Sequence, residues 1–328
     1  MSPEFVFTFA AVYVTMVLLL NQFNAGRGYQ PWALSKSPIF KPLVTIHNAL
    51  LALFSAWSLC GMLYVPFVLW PSIATDLDVS YPARAVEFLC KANSKDYKIL
   101  NNLSISEAGG TYMSWLFYMS KFYEVMDTLI ILTSGRKSST LQTFHHAGVM
   151  IAGWIGMRYE SPMGFIGAIL NAAVHTLMVR RHYPLLDSFL LEEIRLYMLI
   201  HESLSFQYTY FTLRALGISV PSKFKRTLTK IQIGQFVVGL GIAYLYTFVR
   251  YEAPLHVVRK AFNSTSPLVS DSVKRRDHIR EGLNDMVTFS CLENRGEGFP
   301  VILASLYLLP LTYLFIKFYV HSYTRKMA

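Results

Sequence analysis

Residues 111–133 read TYMSWLFYMSKFYEVMDTLIILT, an apolar run long enough to cross a bilayer that still carries Lys121, Glu124 and Asp127 near its middle. A membrane-spanning helix needs about 17–25 mostly apolar residues. Charge inside such a helix is costly, so it faces a partner or an internal cavity. Positions 121, 124 and 128 follow the i, i+3, i+7 rule with 127 beside them, so Lys121, Glu124, Asp127 and Thr128 share one helical face. That face is either a structural ion network between helices or the wall of a chamber.

Six further apolar runs surround this one: Phe5–Leu20, Leu43–Trp70, Leu141–Met157, Pro162–Met178, Ile231–Val249 and Phe299–Val320. The first lacks the basic n-region and small-residue cleavage site of a signal peptide, so it is read as a span. The composition agrees. Of 328 residues, 53% are hydrophobic and 15% charged, against about 45–50% and 25% in soluble domains, and mean hydropathy is +0.35. A soluble enzyme, a disordered chain and a disulfide-rich secreted domain are disfavoured. The expected fold is all-α, a polytopic membrane protein with seven transmembrane helices in a single domain over 1–328.

The net charge of +10 is read as loop charge rather than a nucleic-acid footprint. Residues 21–42 carry Arg27, Lys36 and Lys41 without an acid, Arg136 and Lys137 follow the third span, and residues 212–230 hold Arg214, Lys223, Lys225, Arg226 and Lys230. The 71–110 and 251–298 loops are near balance. The positive-inside bias then predicts a luminal N-terminus, a cytosolic C-terminus and a luminal 251–298 loop. On the luminal side Asn102 and Asn263 stand in glycosylation sequons. Cys90 and Cys291 fall in the two long luminal loops, where an oxidising compartment permits a bridge, two free thiols being the alternative. Cys60 sits mid-span. The tail from Arg325 to Ala328 resembles a dibasic retrieval signal of the endoplasmic reticulum or is an ordinary basic flank.

Polar stripes recur on the next three spans. Gln142, His145 and His146 stand at i, i+3, i+4; Asn171, His175 and Met178 at i, i+4, i+7; Thr229, Gln232 and Gln235 at i, i+3, i+6. One amide stripe is ordinary interhelical glue. Four stripes on consecutive spans, all toward the cytosolic end, predict a shared chamber. Adjacent histidines there suit a metal ligand, a nucleophile or a proton carrier.

Lys-x-x-Glu-x-x-Asp-Thr at 121–128, the His-His box at 142–146, Asn-x-x-x-His-x-x-Met at 171–178 and Thr-x-x-Gln-x-x-Gln at 229–235 together resemble the four signatures of the ELO fatty-acid elongases. The usual first histidine of the box is Gln142, which resembles members acting on polyunsaturated acyl chains, and LQTFHHAG at 141–148 looks like those of lower eukaryotes. The resemblance implies an acyltransferase, a 3-ketoacyl-CoA synthase of the endoplasmic reticulum that condenses acyl-CoA with malonyl-CoA. It needs no cofactor or metal, and its partners are the two thioesters, the bilayer and other enzymes of the elongation cycle, with no nucleic acid. His145 is the expected acyl carrier, with His175 the other candidate, since histidine forms covalent intermediates and the cysteines lie outside the motifs. His146 and His175 would stabilise the enolate and oxyanion, with Gln142, Asn171, Gln232 and Gln235 as amide donors. Lys121, Glu124, Asp127 and Thr128 would line the chamber with Tyr208 and Tyr210. Arg136, Lys137, Lys223, Lys225, Arg226 and Lys230 would bind CoA phosphates, or serve topology alone. An apolar acyl tunnel would run toward the lumen.

The family pattern runs from Asn-x-x-x-His-x-x-Met directly into Tyr-x-Tyr-Tyr, but here Met178 precedes Val179 and the tyrosines resume at Tyr208-Thr209-Tyr210. Removing Val179–Gln207 restores one motif and keeps the reading frame. Val-Arg can be encoded as a 5′ splice site and Gln as a 3′ one. The segment is read as a retained intron, with a genuine insertion as the alternative, and no role is given to His182, Glu192 or His201. Two rivals remain. A di-iron desaturase needs many histidine ligands, whereas His47 stands alone on the second span and His256, His278 and His321 lie outside the cluster. A proton-coupled transporter would use the intramembrane charges, but no internal repeat is visible.

Overall fold

The structure is a computed structural model that describes residues 1–74, 90, 109–159, 161–176, 222–254, 286–292 and 295–324. Asn102, Asn263, Tyr208, Tyr210, the 179–207 segment and the tail from Arg325 lie outside the described residues.

Helix α1 covers Pro3–Gly26, with Ser2 as N-cap accepting from the Phe5 amide and proline at its start, where a missing donor costs nothing. Its buried residues Val6, Ala10, Tyr13, Val17 and Asn24 recur at helical spacing on one face. Short α2 (Ala33–Lys36) leads into α3 (Phe40–Ala74). The charged run forms two helices, α4 (Gly110–Tyr123) and α5 (Val125–Thr133), parted at Glu124. There the Asp127 amide bonds the Glu124 carbonyl at 3.1 Å, an i+3 bond that tightens the turn. Then come α6 (Thr140–Arg158), capped by Ser139, α7 (Pro162–Thr176) and α8 (Ser222–Phe248). Strands β1 (Arg250–Pro254) and β2 (Met286–Ser290) pair antiparallel with Arg250 opposite Ser290. Helix α9 (Arg295–Tyr319) closes the bundle and runs into a π-helical turn at Val320–Thr324.

Over the described residues, each of the seven expected spans falls on helix. Pro3–Gly26, Phe40–Tyr64, Lys225–Phe248 and Gly298–Tyr323 are long and apolar enough to cross a membrane alone. The third span is broken at Glu124, the fourth is diluted by Gln142 and its two histidines, and the fifth has a shorter apolar core at Met163–His175. Leu19, Leu245 and Ile302 stand 59%, 59% and 62% exposed on outward faces, an arrangement suited to lipid rather than water. The chain is an all-α, multi-pass membrane protein, to which the described residues add a small β ribbon.

Among the described residues, two apolar cores hold the bundle. One packs Ala10, Tyr13 and Val17 of α1 against Val125, Leu132 and Met150. The other gathers Leu59, Met62, Phe117, Phe165, Tyr246 and Val301 around Cys90 and Cys291. Those cysteines are disulfide-bonded, their Cα atoms 4.8 Å apart, and mark one end of the bundle. The opposite, basic end is tied by amides. Asn24 Nδ2 donates to the Leu132 carbonyl at 2.8 Å, Trp32 Nε1 donates to Asn24 Oδ1 at 2.8 Å, and Asn21 exchanges bonds with the Ser138 backbone. Gly135, at φ 73°, turns this corner; a Cβ there would collide with the Tyr29 carbonyl and the Pro31 nitrogen.

Candidate functional site

The charged face of the third span turns inward. Lys121 Nζ donates to Glu124 Oε1 at 2.7 Å, and the two side chains are 3% and 2% exposed. The ammonium also sits 4.1 Å from the centroid of the Phe117 ring, a cation–π contact. Asp127 is held from another direction. His47 on α3 places Nε2 2.8 Å from Asp127 Oδ1 and Nδ1 3.0 Å from the Tyr123 hydroxyl. His47, the lone histidine of its span, is thus partnered by a residue 80 positions away on the third. Thr128 is fully buried, its hydroxyl 2.9 Å from that of Tyr13 and accepting from Gln142 Nε2 at 3.4 Å.

Helix α6 brings the histidine box to the same level. Ser139 caps the helix by accepting from the Gln142 amide, which directs the next turn inward. The rings of His145 and His146 lie 5.5 Å apart, and His146 meets the Tyr13 ring edge-on at 6.2 Å. His145 Nδ1 is 3.0 Å from the hydroxyl of Tyr307 on α9, which also donates to the His145 carbonyl at 3.2 Å. His146 Nδ1 and Asn171 Oδ1 are buried without a hydrogen-bonding partner among the described residues. Such orphans are rare in native proteins and call for an explanation.

Two cavities meet here. The larger, about 780 Å³, is polar where it touches Glu124, Asp127, Gln142, His146 and His175, and extends past Gln232 to Lys41 and Arg136 at the basic end. The smaller, about 180 Å³, runs from Lys121 toward Met163 and Pro300 and is walled by Phe117, Val149, Ala168 and Leu308. His145, Asn171, Gln235 and Phe236 line both. His145 thus stands at the junction of a polar chamber and an apolar one.

The motif residues Glu124, Asp127, Gln142, His145, His146, Asn171, His175, Gln232 and Gln235 all converge on the polar chamber, and Lys121 lines the apolar cavity. Thr128 reaches the cluster through its hydroxyl. The basic residues are divided. Arg136 lines the polar cavity and Lys137 does not. Lys225, Arg226 and Lys230 ride the first turns of α8 and line neither cavity. Arg226 instead donates to the Tyr319 hydroxyl at 3.1 Å. The Lys223 side chain lies outside the described residues. Lys41 and His47, named in the sequence only as a loop charge and a lone histidine, join the site with Tyr13 and Tyr307. The pair His47-Asn48 inside an apolar helix was a visible signal; Tyr307, in an outwardly ordinary apolar helix, carried none.

The sequence profile of the ELO family, described as the GNS1/SUR4 family, matches residues 1–185 and 194–328. Every motif residue above falls within the match, and the interval it passes over lies inside 179–207. Over 295 residues the chain is 22% identical to Fatty acid elongase sre1 of Dictyostelium discoideum, covering 86% of this chain and 88% of that protein. It is 27% identical over 131 residues to Long chain fatty acid elongase 1 of Caenorhabditis elegans, covering 40% of this chain and 35% of that one. It is 25% identical over 145 residues to Very long chain fatty acid elongase 3 of Homo sapiens, covering 44% and 43%. The chain thus spans less than half the length of two of these relatives and most of the Dictyostelium protein.

Proposed function

Because this chain belongs to the ELO family, we propose that it is a fatty acid elongase, condensing acyl-CoA with malonyl-CoA to give a 3-ketoacyl-CoA two carbons longer, CO2 and free CoA. The position of His145 at the junction of the two cavities carries this reading. A thioester has a polyanionic head and an apolar tail, and its reacting carbon lies where they join. The polar chamber suits the pantetheine arm, with Lys41 and Arg136 toward the phosphates, and the apolar cavity suits the acyl chain.

His145 takes the acyl group as an N-acyl imidazole, and CoA leaves as its thiolate. Malonyl-CoA then loses CO2, and its enolate attacks the acyl carbon and releases the histidine. His146 and His175, with the amides of Asn171 and Gln235, surround the position where negative charge develops. No cofactor or metal enters these steps. Gln142 in the first position of the box favours polyunsaturated chains. The enzyme lies in the endoplasmic reticulum membrane beside the other elongation-cycle enzymes. Its basic end faces the cytosol and the Cys90–Cys291 end faces the lumen, where Asn102 and Asn263 would be glycosylated.

Residues 179–207 are proposed as a retained intron; finding their 87 nucleotides in the dominant mature transcript would remove the idea. The decisive experiment expresses the chain in yeast, with and without that segment, feeds individual fatty acids and measures malonyl-CoA-dependent products in microsomes. Extension of an acyl chain that is lost in His145→Ala supports the reading. Failure of membranes rich in the intact protein to extend any acyl-CoA overturns it, as does substantial elongation and acyl-enzyme formation by His145→Ala.

A further inference from the structure

Tyr307 approaches His145 twice, and one hydroxyl has one proton. The hydroxyl donates to the His145 carbonyl at 3.2 Å. Its oxygen then meets Nδ1 of the same residue at 3.0 Å as an acceptor, so both contacts are hydrogen bonds only if Nδ1 bears the hydrogen. Giving the hydroxyl proton to Nδ1 instead would leave the carbonyl contact without one. From this pairing we infer that Tyr307 is a positioning residue that holds His145 as the Nδ1–H tautomer and leaves the Nε2 lone pair for the substrate. The inference rests on the elongase reading above.

The approach is built into the helix. Residue 148 is glycine, and a Cβ there would overlap the Tyr307 ring. The ring also stacks on Phe144, with centroids 5.9 Å apart and planes 27° from parallel. The glycine three residues after His145 thus admits an aromatic ring from the last helix to the edge of the imidazole. The third-span ion pair and the His47–Asp127 contact do not touch this nitrogen.

The tautomer has a chemical consequence. Neutral His145 attacks the thioester carbonyl through Nε2; the Nε2–C bond forms, the C–S bond breaks, and the CoA thiolate departs and takes its proton from water. The acylated ring keeps the Nδ1 proton and is a cationic acylimidazolium. Malonyl-CoA loses CO2 to give an enolate, whose carbon bonds the acyl carbon while the C–Nε2 bond breaks. The leaving group is then neutral imidazole rather than imidazolate, and His145 returns to its starting tautomer without moving a proton. In the opposite tautomer Nε2 carries the hydrogen and has no lone pair with which to attack.

The test compares wild type, Tyr307→Phe and Gly148→Ala in detergent-solubilised, intact enzyme. Tyr307→Phe keeps the ring and removes only the oxygen. It should lower kcat by about 10- to 100-fold, the size of one strong hydrogen bond expressed as a rate, with KM for acyl-CoA within about twofold. Acylation by radiolabelled acyl-CoA without malonyl-CoA should slow by the same factor, a kcat-against-KM split that a merely structural role would not produce. Gly148→Ala keeps the hydroxyl but displaces the ring, and should slow acylation likewise. It serves as the test where Tyr307→Phe does not accumulate. If wild type elongates and either variant acylates within tenfold of it, the tautomer assignment is overturned and the elongase reading stands. If wild type itself makes no malonyl-CoA-dependent product, the elongase reading fails and the assignment falls with it.

Discussion

His47 Nε2 lies 2.8 Å from Asp127 Oδ1, with the histidine side chain 8% and the carboxylate 22% exposed. This contact fastens the second span to the charged face of the third, and it fixes a carboxylate that lines the polar chamber. His47→Ala and Asp127→Asn should therefore be coupled. A double-mutant cycle on thermal unfolding should return an interaction of about 0.5–3 kcal/mol. Additive single effects would show that the two side chains do not act together.

Lys121 and Glu124 form a pair with almost no access to solvent. Removing either partner strands a buried charge, which costs about 3–5 kcal/mol, whereas replacing both with apolar side chains is far milder. Lys121→Met or Glu124→Leu should each reduce the yield of intact protein sharply, and the double variant should recover much of it. Size-exclusion profiles after graded heating measure this. A double variant less stable than both singles contradicts the argument.

Lys41 and Arg136 are basic side chains that line the polar cavity. A charged contact to a phosphate is worth about 1.5–3 kcal/mol. Lys41→Ala and Arg136→Ala should each raise KM for malonyl-CoA by about tenfold or more, an effect that shrinks as salt screens the wild-type contact. Steady-state kinetics at two ionic strengths decide this; an unchanged KM at low salt moves the phosphates elsewhere.

Ala168 lines the apolar cavity from α7. Ala168→Phe adds bulk to that wall, at an overpacking cost of about 1–3 kcal/mol. Product profiles should shift toward shorter chains with the condensation step retained. Identical product lengths would mean that the acyl chain runs elsewhere.

The Cys90–Cys291 bond closes a separation of 201 residues, and both cysteines belong to an apolar core and line neither cavity. A native bridge contributes about 2–4 kcal/mol. Cys291→Ser should lower the unfolding temperature and leave kcat of the surviving protein within about twofold. Equal thermal stability with and without reductant would remove the bond from the account.

What was legible in the sequence follows a physical rule. Lys121, Glu124, Gln142, His145, Asn171 and Gln235 announced themselves because polar groups at helical spacing inside apolar runs have few explanations. Their convergence was readable before any coordinate. Tyr307 was not, because Tyr313 on the same helix has similarly apolar flanks while standing 63% exposed. The interruption at Glu124 has no Gly or Pro to signal it. The basic stretch 212–230 revealed the charge of a loop but not the direction of its side chains, and Arg226 lies against Tyr319 instead of the cavity.

His145 and Tyr307 are separated by 162 positions, and the second lies on the last helix. During synthesis the histidine box enters the membrane long before its partner exists. A nascent chain therefore carries all four motifs before Tyr307 is made, and its imidazole gains the tyrosine contact only once α9 is in place. On the proposed pairing, acylation waits for that helix, and a chain stopped before it would hold the motifs without the tyrosine contact.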